Sequence, residues 1–276
     1  MSRIYLNGRL MDSSEAHIDP ADRGLLLADG LFETLRAYGG KPFCLEAHLA
    51  RLTAGCGFLG LPAPPSAEIA AAVSVVLAAN DLAEASIRVT LTRGIGPRGL
   101  LPPADTKPTL MIAAFPLPPS LPKAMSACVV GIRRNEHSPL SQLKSLAYLD
   151  NILALREADA AGCEEAILLN TAGRIAGGSR SNLCLVLDGT VTTPPPSEGL
   201  LPGIARQTVL ALATRHGIPA REAALVPADL AKASEAFLTN SLLEVLPVTR
   251  LQDRVLSEGP VTANLARLYR ESIPGS

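Results

Sequence analysis

Ser138-Pro-Leu-Ser-Gln-Leu-Lys144-Ser-Leu-Ala-Tyr148-Leu-Asp-Asn-Ile-Leu-Ala-Leu-Arg-Glu157 sets a single lysine at the entrance of an apolar-periodic segment. Leu146, Leu149, Ile152 and Leu153 recur at helical spacing, Ser145 fits an N-cap and Gly162 a stop, so the pattern predicts a helix opening directly after Lys144. An ammonium fixed beside an apolar face loses hydration, its pKa falls, and the neutral amine becomes a nucleophile toward a carbonyl. Lys144 is therefore a candidate for Schiff-base chemistry. The competing reading is a lysine that snorkels off the start of a helix. The rest of the chain decides between the two.

A chain of 276 residues fits one large or two modest domains. Apolar residues make up 47% and aromatics only 3%, so the core must be built from Leu, Ala, Val and Ile. The formal charge of -1, with no basic run longer than Arg133-Arg134, argues against nucleic acid or an anionic membrane as partner and for a small molecule. The N-terminus has no apolar signal core and the longest apolar run, Ile69 to Asn80, is too short and Ala-rich to span a bilayer, so a cytoplasmic protein is expected. Five widely spaced cysteines read as reduced, mostly buried thiols, and four scattered histidines without ligand spacing predict no metal site.

Periodicity and turn residues predict a first strand over 3–7, a polar turn over 19–24, and a long or broken strand over 25–38 closed at Gly39-Gly40. Helices follow over 45–59 and 66–80, the second with Ser66 as cap, then strands over 86–93 and 109–115. Pro116-Leu-Pro-Pro-Ser-Leu-Pro122 joins neither helix nor sheet centre and marks the boundary between a first domain over 1–117 and a second over 118–276. The second is expected to hold a strand over 127–132, the Lys144 helix, a strand over 165–170 and a hairpin over 182–193. A helix over 204–216, strands over 236–239 and 244–248, and a last helix over 262–271 complete it.

Four further features suit an anionic ligand. Gly199-Leu-Leu-Pro-Gly203-Ile-Ala-Arg206 opens a helix whose free N–H groups and positive dipole end favour phosphate. Arg51 projects from the helix over 45–59 with a fork of donors. Leu238-Thr-Asn240-Ser241 ends a strand in hydroxyls and an amide, and Gly177-Gly-Ser-Arg180-Ser-Asn182 is a Gly/Ser loop running into another. Each alone has an ordinary structural explanation as a turn or a solvated side chain.

In this order the set resembles the class-IV aminotransferase family, the pyridoxal-phosphate enzymes of fold type IV. That family includes branched-chain aminotransferases, D-amino-acid transaminases and 4-amino-4-deoxychorismate lyases. The likeness covers nearly the whole chain, through Asp22-Arg23-Gly24, Asp29-Gly-Leu-Phe-Glu33-Thr34, Glu46-Ala-His48-Leu-Ala-Arg51-Leu52, Thr92-Arg93-Gly94, Lys144-Ser-Leu146, Ser181-Asn182-Leu183, Leu201-Pro-Gly203-Ile204 and Phe237-Leu-Thr-Asn-Ser241. It implies an α/β fold of two domains, a small N-terminal one and a larger C-terminal pseudo-barrel, in a homodimer. It implies pyridoxal 5′-phosphate joined to Lys144, which then shuttles the proton at the reacting carbon, and a phosphate held by Arg51, the backbone of Ile204 and Ala205, Asn240 and Ser241.

Within the family, Arg93-Gly-Ile-Gly-Pro-Arg98-Gly99 and Asn240-Ser-Leu242 look most like the lyases, with Arg93 or Arg98 meeting a substrate carboxylate. An amino-acid or amine aminotransferase is the second reading. One position departs from the pattern. Family members carry a Glu before the Ser-x-Asn strand that keeps the pyridine nitrogen protonated, and here that position is Gly177, with Arg180 close by in sequence and no acid between Arg174 and Asn182. The departure leaves open a substitute carboxylate, a reaction less dependent on the electron sink, or a weakened paralogue.

Overall fold

The computed structural model describes residues 2–274. Two compact units emerge: residues up to Pro119 together with Leu143–Ala147, and Ser120–Gln142 together with Tyr148–Pro274.

In the first unit β1 (Arg3–Leu6) and β2 (Arg9–Asp12) form a hairpin, and α1 (Arg23–Leu27) leads into β3 (Gly30–Tyr38) and β4 (Lys41–Pro42). After α2 (Leu45–Leu59) and α3 (Ser66–Ala79), β5 (Ala85–Thr92) and β6 (Thr109–Pro116) complete an antiparallel sheet in the order β2-β1-β6-β5-β3-β4. Register sets Leu31 opposite Leu91, Glu33 opposite Val89 and Leu35 opposite Ile87, so these side chains share one face. That face buries Leu49, Leu52 and Cys56 of α2 and Ile69, Val73 and Val76 of α3, each fully buried aliphatic contributing about 1.5–3 kcal/mol. Glu33 is the charged exception in this apolar row.

The second unit contains β7 (Met125–Arg134), α4 (Leu149–Ala160), β8 (Glu165–Asn170), β9 (Ile175–Gly178), β10 (Asn182–Leu187), β11 (Thr190–Thr193) and α5 (Ile204–Arg215). It continues with β12 (Ala220–Glu222), α6 (Pro227–Lys232), β13 (Glu235–Asn240), β14 (Glu244–Leu251), β15 (Arg254–Val255) and α7 (Pro260–Glu271). Its sheet runs β12-β11-β10-β13-β14-β7-β8-β9, with β15 on β14. β7 pairs in parallel with both β8 and β14, which requires crossovers, and α4 is the crossover packed on β7 and β8. Ile167, Leu183, Leu185, Leu238 and Leu246 form its main core.

Four expectations are corrected. The helix begins at Leu149 with Tyr148 as its N-cap, not after a Ser145 cap. Leu143–Ala147 instead runs along β3, where Phe32 N donates to Lys144 O at 2.9 Å and Leu146 N to Gly30 O at 3.0 Å, so its backbone belongs to the first unit rather than to a domain over 118–276. Residues 23–27 form α1, opened by the Asp22 carboxylate accepting from Gly24 N at 2.7 Å, where a turn and the start of a strand were expected. Ser66 is the first helical residue after Pro65 and caps nothing with its side chain.

Candidate active site

Lys144 is held by the first unit. Its Nζ lies 4.3 Å from the centroid of the Phe32 ring, and Arg88 of β5 stacks on the same ring with Cζ at 3.6 Å. One residue along β3, Glu33 is fully buried and accepts from Arg51 Nε at 2.8 Å and Nη2 at 2.7 Å, and from His48 Nδ1 at 2.7 Å. His48 and Arg51 are three apart on α2 and so share the helix face that meets the sheet. Burial alone would raise the Glu33 pKa, but the hydrogen bonds from Arg51 and His48 hold it below the ordinary carboxylate value.

Burial of the amine lowers the Lys144 pKa to about 8; Glu33 opposes the shift, and the Arg51 and Arg88 guanidiniums add to it. At that value roughly one amine in ten is neutral at pH 7, against roughly one in three thousand at the ordinary value of 10.5. The site can therefore present a nucleophilic amine near neutrality.

Arg51, expected to grip phosphate, has two nitrogens engaged by Glu33, which fixes the plane of its guanidinium. Arg93, expected to meet substrate, is spent on the protein. Its Nε donates to Asp29 at 2.8 Å, while Nη1 and Nη2 donate to Gly60 O and Leu59 O at 2.9 Å, satisfying carbonyls at the C-terminus of α2. Arg23 shares Asp29 at 2.8 Å and holds the loop carbonyls of Gly99 and Leu100 at 2.9 Å. Arg98 lies in that loop and is exposed.

The remaining expected residues belong to the second unit. Ile204 and Ala205 are the buried first residues of α5, whose N-cap Gly203 offers no side chain to the free N–H groups. Asn182 braces this turn by donating from Nδ2 to Leu201 O at 3.0 Å, and a Cβ on Gly203 would come within 2.0 Å of Asn182 Oδ1, so only glycine fits. α5 packs on β13, at whose end Asn240 accepts from Leu242 N at 3.0 Å and Leu243 N at 2.8 Å, shaping the turn that carries half-buried Ser241. Next to Asn240, the Thr239 hydroxyl is buried without a hydrogen-bond partner. An uncapped helix start, an unsatisfied hydroxyl and a serine turn fit a phosphate, as the lowered amine of the first unit fits an aldehyde.

Gly177 has φ of +117°, a conformation that an L side chain adopts only with strain, although a Cβ there would sit 3.5 Å from Ser181 O with room to spare. The acid under this loop is Glu165, which accepts from Ser179 N at 3.0 Å, Ser181 Oγ at 2.8 Å, Ala166 N at 3.0 Å and the Ser179 hydroxyl. Arg180 Nε lies 3.8 Å from this carboxylate, so the charge expected to act against ring protonation has a counter-ion of its own. Among the described residues no group of three or more His, Cys, Asp or Glu is arranged to hold a metal, and no helix is long and apolar enough to cross a membrane.

Comparison with known proteins places these features. The family model "Amino-transferase class IV" matches residues 30–251. The chain is 37% identical to a "Putative branched-chain-amino-acid aminotransferase" of Methanocaldococcus jannaschii, over 98% of this chain and 96% of the relative. It is 33% identical to the "Aminodeoxychorismate lyase" of Bacillus subtilis, over 98% and 94%. A branched-chain amino acid aminotransferase from T.th., solved with pyridoxamine 5′-phosphate, superposes with a TM-score of 0.91 at 27% identity, covering 98% of this chain and 93% of that one. The chain belongs to the class-IV aminotransferase family. It is an enzyme with the two-domain fold type IV architecture of that family.

Proposed function

We propose that the protein is a 4-amino-4-deoxychorismate lyase, which releases pyruvate from 4-amino-4-deoxychorismate and leaves 4-aminobenzoate. The observation that carries this reading is the Gly177 loop. No acid stands between Arg174 and Asn182, and Glu165 beneath the loop is occupied by four protein donors. Pyridoxal 5′-phosphate, the cofactor of this family, supplies when bound a conjugated electron sink that weakens when its ring nitrogen lacks a carboxylate. An elimination assisted by aromatisation of its product depends less on that sink than transamination does.

In this reading Lys144 would anchor the cofactor through its aldehyde, and its amine, set free when the substrate amine takes its place, would move the proton at the reacting carbon. Glu33 and His48 hold Arg51 in orientation, and Arg51, the N–H groups of Ile204 and Ala205, Asn240 and Ser241 bind the phosphate. Arg98 meets a substrate carboxylate; Arg23 holds the loop that carries it through Gly99 O and Leu100 O, and Arg93 ties Asp29 to the C-terminus of α2.

An amino-acid or amine aminotransferase is the second reading, favoured by the 37% identity to the Methanocaldococcus jannaschii protein. Incubation with an amino donor alone separates the two. Little conversion of the cofactor to its pyridoxamine form, with release of 4-aminobenzoate from the chorismate-derived substrate, supports the lyase; stoichiometric conversion supports transamination.

The working form is proposed to be a homodimer. Leu25, Leu26 and Leu27 of α1 and Leu100 and Leu101 of the loop that Arg23 ties to it are exposed, Leu101 by 88%, which is apolar surface suited to a second copy. The proposed compartment is the cytoplasm, in keeping with five cysteines that remain thiols.

A further inference from the structure

Phe32 is an aromatic ring that two cations share. Cross-strand register sets Phe32 opposite Thr90 and Thr34 opposite Arg88, so Arg88 is the diagonal neighbour of Phe32 on one sheet face. Arg88 Nε donates to Thr90 Oγ1 at 3.2 Å, which aims the guanidinium along the strand, with its Cζ 3.6 Å from the ring centroid. Phe32 itself is buried, and the Lys144 amine lies 4.3 Å from the same centroid. Each cation gains from the ring's quadrupole, but the two charges are within about 8 Å of each other whichever faces they take.

We propose that Arg88 is a positioning residue for Lys144: by stacking on Phe32 it fixes the ring against which the amine rests, and its charge disfavours protonation of that amine. The groups that face Lys144 come from three elements, Glu33 of β3, Arg51 of α2 and Arg88 of β5. Glu33 favours the ammonium, but its carboxylate is bound by Arg51 and His48, so the two guanidiniums offset it. Arg51 is tied to that carboxylate by two hydrogen bonds, whereas Arg88 reaches the amine by way of the ring. At an effective dielectric of about 20, like charges at about 8 Å displace each other's titration by about one and a half pH units.

The importance of this arrangement for catalysis rests on the proposed role of Lys144, but its test does not. The full chain, freed of cofactor by a carbonyl scavenger, is labelled competitively with acetic anhydride across the pH range, and acetylation of the Lys144 peptide is read by mass spectrometry. The wild-type midpoint is expected at about 8. Arg88→Met is expected to raise it by about one and a half pH units, whereas Arg88→Lys, which keeps the charge, leaves it close to wild type. An unchanged or lowered midpoint in Arg88→Met, with an unfolding transition like that of the wild type, overturns the proposal. If Arg88→Met does not fold, Arg88→Gln carries the same expectation and the same refutation. Repeating the labelling with pyridoxal 5′-phosphate separates the two claims, because loss of acetylation at Lys144 tests the cofactor assignment whatever Arg88 does.

Discussion

Replacing Glu33 by alanine removes a buried carboxylate and leaves Arg51 and His48 facing each other without their acceptor. The carboxylate takes three hydrogen bonds of 2.7–2.8 Å, two of them from one guanidinium. Breaking a buried pair from one side costs about 3–5 kcal/mol, because the remaining charge is stranded. For a chain of this size the loss corresponds to a fall of about 10 °C in Tm, readable by calorimetry or circular dichroism. Glu33→Gln keeps the shape but loses the charge, and is expected to cost about 2 kcal/mol.

The pair also has a pH signature. Because the folded pKa of Glu33 lies below the unfolded value of 4.5, its stabilisation is complete above about pH 4.5 and is lost as the pH falls through the lower folded value. Glu33→Ala should flatten that part of the stability profile. It should also shift the Lys144 labelling midpoint downward, because Glu33 is the group that favours the ammonium. A Glu33→Ala protein within about 1 kcal/mol of wild type, with unchanged acid sensitivity, would refute the reasoning.

Arg93→Met should lower stability by about 2–3 kcal/mol by leaving the last carbonyls of α2 without their donors and Asp29 with Arg23 alone, and a thermal scan unaffected by it would contradict the structural role given to Arg93. Arg98→Ala is expected to raise KM for a carboxylate-bearing substrate at least tenfold with Tm unchanged, since the side chain is exposed; an unaltered KM removes Arg98 from the substrate site. Gly177→Glu should cost about 1–3 kcal/mol in backbone strain at its φ of +117° while raising transamination of the bound cofactor, and a faster lyase reaction without faster transamination would contradict the proposed consequence of the missing acid. Leu101→Asp should convert a dimer to a monomer in sedimentation experiments, and a protein already monomeric before the change would dispose of the assembly proposed.

Much of the fold was legible because long periodic segments carry their own evidence. α2 spans the 45–59 predicted for it, and β8 the predicted 165–170, since burial on both faces makes its centre, Ala166 to Leu169, a continuous apolar run. β9, β12 and α6 were missed because three to six residues are too few to display a period. The segment after Lys144 misled for a physical reason. Leu149, Ile152 and Leu153 do have helical spacing, but they are exposed, by 72%, 51% and 45%, and α4 buries Ala154 and Ala158 instead. The lysine then falls outside the helix because the backbone groups of Phe32 and Gly30 bind it along β3.

Lys144 and Arg51 were visible as residue types in a pattern, whereas their organisers were not singled out. Glu33 carried a signal, a carboxylate in the buried register of a strand, with His48 and Arg51 three apart on the next helix to satisfy it. Arg88 carried none, because its meeting with Lys144 on Phe32 depends on pairing between β3 and β5, which no local window contains.

Borohydride reduction of the protein loaded with pyridoxal 5′-phosphate, followed by peptide mass analysis, tests the central claim most directly. A phosphopyridoxyl group fixed stoichiometrically on the peptide that contains Lys144 is the predicted result. Label on another lysine, or a protein that takes up no cofactor at all, would contradict it.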